Sequence, residues 1–533
     1  MRMHAMSGAR SFMGSRLARF ATAFVFALAS FAGHAQTVSR PFAALRPQSG
    51  AAAAAHALIV ELSPREVLSG AHIELAASIA PPEGSHYLVW INGVLSVNVE
   101  ATGARQTLDL APNAFAPGVN TVQLALAPNG VPVSNQMALS APAPVDDANS
   151  RISFDFAGLR PNPAPTLAQI PLAFDSHGWL PRTVAVDLGE GAVAPTPAQL
   201  QAAALAVESV AVRMRQGDVT ITYRSEGAFT DWGHDPESWG LAEEDTTAGD
   251  TLLIGTRATL SRELPASVAR AVTGPFVGIY PANAGRSVVV VISGATEADC
   301  LRAAQAFADR AASLPASPAM VIDRGAPQHA NAADATNSPH LAMALAEQDP
   351  ALVRAALRFA AVRAKATGEV ADISFRYGTD VTGIHYFFGQ DASLSRSLRR
   401  RLPVYAPLQP GQAVSLPAQI GDQSFIAIVG VRNAALAGAI DMLRKPATWA
   451  LFTQRATLFD TRTQTAIPLA VARRSLLAQM RLFLADPLTF WSVLAALLLA
   501  CFVFVNLALK AQVAARLATS GAEPPHDAPG NIP

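Results

Sequence analysis

Cysteine is almost missing from this chain: two occur in 533 residues, Cys300 and Cys501. Cys300 lies in a stretch of helical period and Cys501 inside a long apolar run, so the two cannot pair and stability must come from packed cores. Thiolate metal sites fall with the disulfide. Charge is scarce too, at 15% of residues, and balanced: 40 basic against 40 acidic side chains, net zero. Such a balance builds no field for a polyanion, which removes nucleic acid as a partner. Catalytic signatures are also absent. The sequence has neither G-x-G-x-x-G nor G-x-x-x-x-G-K-[ST] for phosphate, no G-x-S-x-G elbow and no H-E-x-x-H. The reading is therefore a non-enzyme with no catalytic residues, no metal and no cofactor bound directly.

What is present begins with one uninterrupted apolar run, Leu488 to Leu509. At about 1.5 Å per residue its roughly 22 residues reach about 33 Å, enough to cross a hydrocarbon core of about 30 Å. Trp491 and Lys510 sit where interfacial anchors belong, and Pro487 stands in the first turn, where a missing N–H costs little. A transmembrane helix is expected over 487–510 and a cytoplasmic tail over 511–533. Just upstream, Leu469, Ala472, Leu476, Met480, Phe483 and Leu484 recur at helical spacing with Arg473, Arg474 and Arg481 interleaved. That pattern predicts an interfacial amphipathic helix over 469–486. Membrane or partner contact is assigned to Arg473, Arg474, Leu476, Met480, Phe483 and Trp491.

At the other end, Arg10, Arg16 and Arg19 precede the apolar stretch Phe20 to Ala32, and Gly33-His34-Ala35 supplies small residues for a cut before Gln36. Residues 1–35 thus read as an export signal. A signal plus one late span places a single-pass protein in the cell inner membrane, its bulk periplasmic and its C-terminus cytoplasmic. The arginines before the span outnumber the basic residues after it, which runs slightly against the positive-inside rule; the signal outweighs this for a large translocated body.

Between these ends, residues 55–146 show strand after strand with Pro, Gly and Asn clusters between them, predicting a jelly-roll-like β-sandwich of carbohydrate-binding type. Asn92-Gly93 is a two-residue hairpin signal. The period then changes. Over 150–325, apolar strands (TVAVDL, VTITYR, TLLIG, VVVVIS) alternate with helices over 197–215, 259–272 and 297–310, which predicts a parallel sheet covered by helices. Thr196-Pro197 and Thr296-Glu297 read as helix starts. A polar linker is placed at 326–347, and a second α/β domain at 348–460 repeats the first: helix 351–366, then VADISFRYG, GIHYFFGQ and SFIAIVGV. The phrase G-x-x-A-x-L-S-R-x-L occurs in both copies, at Gly255 to Leu264 and at Gly389 to Leu398. In each it puts glycine at a strand end, where a nucleotide phosphate could sit, without the glycine density that a phosphate cradle needs.

The densest group of acid, imidazole and aromatic side chains is Asp231-Trp232-Gly233-His234-Asp235-Pro236-Glu237, in loop-forming sequence. For glucan binding the candidates are Tyr87, Trp90, Trp232 and Trp239. Arg396, Arg399, Arg400 and Arg401 form the strongest basic run. Arg396 and Arg400 match R-x-x-x-R and Asp391-Ala392-Ser393 starts D-x-S-x-x-G, the PilZ signatures for cyclic di-GMP. The elements stand in the wrong order, and Arg396 replaces the glycine.

The segments VWINGVL with PGVNTVQLAL, LLIGTRATLS with AVTGPFVGIYP, VVVVISGATEADCLRAAQAF and the basic amphipathic approach to the span together resemble the BcsB family, the periplasmic membrane-anchored subunit of bacterial cellulose synthase. The likeness runs from about Ala57 to Leu509. It departs from the family pattern where a second carbohydrate-binding-like module would separate the two α/β units. The resemblance implies two flavodoxin-like units and a non-catalytic role in cellulose or other exopolysaccharide biosynthesis. Its implied partners are the inner membrane, the nascent glucan chain and a catalytic subunit that polymerises UDP-glucose, with cyclic di-GMP acting through that subunit. The competing reading is a membrane-tethered periplasmic polysaccharide hydrolase.

Overall fold

The computed structural model describes residues 36–47, 57–128, 141–189, 194–214, 219–224, 249–309, 314–324, 339–420, 422–469 and 487–520. The expected signal, the 231–237 cluster with Trp232 and Trp239, and Arg473, Arg474, Leu476, Met480 and Phe483 lie outside the described residues. The chain is mixed α/β, with four sheets among the described residues.

The first nine strands are β1 (Gln36–Pro41), β2 (Leu58–Leu62), β3 (Glu66–Ala76), β4 (His86–Ile91), β5 (Val94–Glu100), β6 (Arg105–Leu110), β7 (Gly118–Ala127), β8 (Ala141–Pro142) and β9 (Arg151–Leu159). They form two sheets of order β1-β9-β3-β6 and β2-β7-β4-β5, with β8 on β7. Successive strand residues point to opposite faces; in β2, Leu58, Val60 and Leu62 are buried while Ile59 and Glu61 between them are only partly so. Inward residues of both sheets, among them Ile73, Phe154 and Phe156 facing Val60, Tyr87 and Val122, make one core. The expected limits of 55–146 were too narrow. β1 pairs with β9 from Gln36↔Phe156 to Pro41↔Arg151, so both ends belong to the sandwich. Local pattern cannot reveal a partner more than a hundred residues away.

The Asn92-Gly93 turn is built as its residues demand, with positive φ at both (52° and 79°). Asn92 Oδ1 accepts from Thr121 N at 2.9 Å and its amide donates to Asn120 Oδ1 at 2.9 Å. Asn120, fully buried, donates in turn to the carbonyls of Val60, Ala116 and Gly118. The two asparagines of VWINGVL and PGVNTV are thus one tie between adjacent strands.

The first α/β unit runs β10 (Arg182–Asp187), α1 (Pro197–Arg213), β11 (Val219–Arg224), β12 (Asp250–Thr256), α2 (Ala266–Ala271), β13 (Phe276–Ala282), β14 (Ser287–Gly294), α3 (Glu297–Ala308) and β15 (Ala319–Val321). The second runs β16 (His340–Leu345), α4 (Pro350–Thr367), β17 (Asp372–Tyr377), β18 (Tyr386–Gln390), α5 (Arg396–Arg401), β19 (Gln412–Ile420), β20 (Gln423–Gly430), α6 (Asn433–Met442), α7 (Pro446–Gln454), β21 (Thr457–Asp460) and β22 (Thr465–Pro468). The orders are β11-β10-β12-β14-β13-β15 and β17-β16-β18-β20-β19-β21-β22. The sequence repeat is therefore a topological repeat.

Three expectations need correction. The sheets are mixed, because β13 and β19 run antiparallel to β14 and β20. Only residues 283–286 and 421–422 join those pairs, too few for a crossover, so each pair must be a hairpin. For the same reason a flavodoxin-like 2-1-3-4-5 order holds only through its first three strands; the last two exchange places. Third, the expected linker at 326–347 contains β16, an interior strand between β17 and β18. Its five apolar residues, LAMAL, were too short to stand out beside a polar stretch.

The helix expected over 259–272 is shortened to Ala266–Ala271, while the starts of α1, α3 and α4 follow the sequence. Thr196 and Gln199 form a reciprocal capping box before Pro197, Thr296 Oγ1 accepts from Asp299 N at 3.2 Å, and Asp349 Oδ1 accepts from Ala351 N at 2.7 Å. Gly368, at φ 77°, closes α4 in the left-handed conformation that glycine adopts freely.

The two units share one apolar core, in which Leu205 and Val210 of α1 join Leu352 and Phe359 of α4. Helix α1 packs on α4 and on β17, and α4 packs on β11. Each unit also covers the other's edge strand. Arg358 Nε donates to Ile221 O of β11 at 2.8 Å and Arg444 Nη2 to Val219 O at 3.1 Å. In return Glu208 Oε2 of α1 accepts from Ala371 N at 2.7 Å, and Gln201 donates to Asp372 at 2.7 Å, at the start of β17. Exposed edges invite further pairing; here a side chain from the other unit takes the place of a next strand. Last in the chain, α8 (Pro487–Ser520) stands apart as a single long helix.

Candidate functional site

The described cavity lies on the sandwich, about 490 Å³ in volume and lined by Arg40, Ala44, Leu45, Arg46, Pro47, Ile59 and Glu61. Its polar wall is built by contacts distant in sequence. The Arg40 guanidinium lies 4.1 Å over the Trp179 ring and donates to Gly178 O at 3.0 Å. The Trp179 indole N–H donates to Glu61 O at 2.8 Å, while the backbone N–H groups of Trp179 and Leu180 both donate to Glu66 Oε1 at 2.7 Å. Burial raises the Glu66 carboxyl pKa against those two N–H bonds, and burial lowers that of the Arg40 guanidinium against the pull of Glu66 and Glu61. His177 bridges Glu61 at 3.3 Å and Asp175 at 2.9 Å, and Arg46 grips Asp147 through two 2.9 Å bonds.

This wall can hydrogen-bond a polar chain lying in the groove. The charged groups among the residues lining it are the guanidiniums of Arg40 and Arg46 and the carboxylate of Glu61. Sequence reasoning missed every one of these groups. Trp179 meets Glu61 and Glu66 across more than a hundred residues, and SHGWLPR has no local mark of that partnership.

The position suited to a nucleotide, beyond the ends of β10 and β12, is filled by the chain itself. A side chain added at Gly189 would meet Thr259 O at 2.4 Å, and one at Gly255 would meet Thr259 Oγ1 at 2.5 Å. Leu260 behind them is fully buried. In the second unit an added side chain at Gly389 would meet Ala346 Cβ at 2.9 Å. Glycine is required at Gly189 and Gly255 because the Thr259–Leu260 turn packs on them, and at Gly389 because Ala346 and the Phe387 ring do.

Of the aromatic candidates, Tyr87 and Trp90 are each 1% exposed. Tyr87 sits between the sheets, and Trp90 sits on the other face of β4 with Leu88, Ala125 and Ala127. Neither presents a face to a sugar, which corrects their assignment to glucan binding: β4 is apolar on both sides because both sides are covered. Trp179 offers no platform either, being 2% exposed with Arg40 on its ring. Trp491, by contrast, is exposed on α8. Within α8 the segment Leu494–Leu517 is long and apolar enough to cross a membrane, and none of its apolar window is buried against the rest of the chain. The helix continues past the expected end at 510 to Ser520, since AQVAARLA is made of good helix formers and no breaker precedes Gly521.

Cys300 is buried and free, its thiol pushed up to about 12 by burial, and Cys501 is free on α8. The basic run lies on α5: Leu398 is buried and the four arginines face outward. Arg399 meets Asp391 at 3.6 Å, and Tyr405 also donates to Asp391, at 2.6 Å.

No family model matches the chain, and no curated protein does. Among solved structures, a family two carbohydrate esterase from Clostridium thermocellum in complex with cellohexaose is 8% identical over 40% of this chain, with a TM-score of 0.10. An active-site mutant of the same family two esterase is 7% identical at the same coverage and TM-score. The chain spans 62% of the length of either esterase, and likeness at that level carries no argument about fold or activity.

Proposed function

We propose that this chain is a non-catalytic, membrane-anchored subunit of a bacterial exopolysaccharide synthase, of the cellulose type. Its body stands on the periplasmic side of the inner membrane, its span beside the catalytic subunit, and it receives the emerging glucan. One observation carries the membrane-anchored part of the reading, the rest following from the sequence resemblance: α8 presents a 24-residue segment fit for lipid, with none of its apolar window covered by the body. Exposed apolar surface of that extent is unstable in water and needs lipid or another membrane helix. The sandwich supports it in a secondary way, since β1-β9-β3-β6 over β2-β7-β4-β5 is the strand order of a jelly roll, an architecture found among lectins.

In this reading polymerisation of UDP-glucose and capture of cyclic di-GMP both belong to the partner. The α5 arginines serve poorly as a dinucleotide site, since side chains about 100° apart around one helix diverge and do not converge on two phosphates. The test is deletion of residues 470–533 in membranes that contain the catalytic subunit. Polymer synthesis should be lost while the released body stays folded; synthesis at normal levels after the deletion rejects the role. Release of reducing ends from glucan oligomers by the purified protein would put the hydrolase in its place.

A further inference from the structure

The second α/β unit presents its arginines over the core on which Leu469, the last described residue before α8, packs. Helix α5 buries Leu398 and Leu402 in the core on the outer side of the second sheet and leaves Arg396, Arg399, Arg400 and Arg401 exposed. That core also contains Ala456, and Leu469 packs against it, held by a 2.8 Å bond from its N–H to Ala456 O. Leu469 is the last described residue before α8, separated from Pro487 by residues 470–486. Arg455, exposed, directly precedes Ala456. Asp391 meets Arg399 at 3.6 Å, and Asp380, 3.9 Å from Arg376, also feels the charge of Arg401. In a chain with zero net charge, this face is markedly positive.

We propose that the exposed side of α5 docks on anionic phospholipid headgroups, laying the outer face of the second sheet against the bilayer that α8 crosses. Guanidinium groups bind phosphate oxygens two at a time, and each arginine at an anionic surface contributes about fivefold to the docked population. Leu469, the last described residue before α8, packs on the same core that α5 covers, which keeps the attachment of the span close to these arginines. The proposal rests on α8 being a span and is independent of any role in polymer synthesis.

The experiment uses the full chain in nanodiscs with a fluorophore at Ser397→Cys in a Cys501→Ala background, read by headgroup-labelled quenching lipid. A second labelled protein, Val94→Cys on the sandwich, is the comparison. In phosphatidylglycerol the label at 397 should be quenched more strongly than that at 94. The difference should vanish in phosphatidylcholine, at about 1 M salt, and in the triple variant Arg396→Glu, Arg400→Glu, Arg401→Glu. The matching triple lysine variant should retain it, and an unchanged thermal midpoint in both triples separates loss of docking from loss of fold. Equal quenching in the two lipids, no excess at 397 over 94, or quenching that appears only on adding an acidic polysaccharide or protein overturns the proposal.

Discussion

The two α/β units share a phrase and part company at one proline. In both copies of G-x-x-A-x-L-S-R-x-L the leucines are core residues: Leu260 and Leu264 under the first sheet, Leu394 and Leu398 under the second. In the second copy Ser395 Oγ accepts from Leu398 N at 3.2 Å and α5 begins at once. In the first, Pro265 falls where the second copy has Arg399. A proline there removes an N–H and disfavours helix at the residue before it, so α2 starts only at Ala266, with Pro265 as its N-cap. The proline delays the helix, and Pro265, Ala266 and Ser267 stand where the second copy has Arg399, Arg400 and Arg401, so the first copy has no basic helix face. A repeated motif therefore reports repeated packing, while the surface above the packing is free to diverge.

The units also differ in how their core is filled. Phe359 of the second touches Tyr386, Phe388, Trp449 and Phe452, with ring centroids 4.7 to 6.2 Å apart. Phe307 of the first has Phe174 at 6.5 Å. Both are fully buried in the same core. Phe359→Ala and Phe307→Ala should each cost about 3–5 kcal/mol, with the larger loss at Phe359. Because the core is common, both should shift one unfolding transition in urea; two separable transitions would show that the units are independent.

The contact that joins the units is the next to break. Arg363 and Glu208, both buried, pair at 2.9 Å across the α1–α4 seam. Arg363→Ala leaves a buried carboxylate without its cation and should destabilise by about 3–5 kcal/mol. Burial outweighs the pull of Arg363 and raises the Glu208 pKa to about 7 from 4.5. A carboxyl whose pKa is raised on folding adds stability that is complete below its unfolded value and is lost as pH rises through its folded one. Stability should therefore fall between about pH 4.5 and 7, and Glu208→Gln should flatten that slope. A denaturation midpoint measured across the range decides it.

Moving the proline sharpens the comparison directly. Arg399→Pro removes the 2.9 Å bond from Arg399 N to Ser395 O inside α5 and should cost about 3 kcal/mol, whereas Pro265→Ala should cost little, since the first copy already starts its helix late. Thermal midpoints of the two variants test this. Smallest are the caps: Thr196→Ala and Asp349→Ala should each cost about 1 kcal/mol, measurable as a midpoint shift and equal in the two units if the repeat extends to its helix starts.

Much of the body could be read before it was seen. Period and punctuation located the sandwich strands, the alternation of strands and helices, the repeat, the caps at Thr196 and Thr296, and the apolar helix. These are local properties, set by side-chain alternation, the missing N–H of proline and the hydrogen-bonding reach of threonine. The hairpins β13–β14 and β19–β20 were legible in principle, because connections of four and two residues leave only one geometry. The groove was not. Arg40, Glu61, Glu66 and Trp179 come from three separated segments, and nothing in any one of them states that the others are near.

The amino-acid sequence by itself determined most of the strands within each unit, the helix starts at Thr196 and Thr296, that a repeat exists and that one helix suits lipid, since each follows from neighbours within a few residues. Only the tertiary structure decided that Tyr87 and Trp90 are core, that β1 and β9 close the sandwich, that the two units are one body with each covering the other's edge, and that Thr259 and Leu260 pack on Gly189 and Gly255. Those outcomes depend on which apolar face meets which, a choice made among surfaces distant in the chain and settled by burial and by the need to pair every buried polar group.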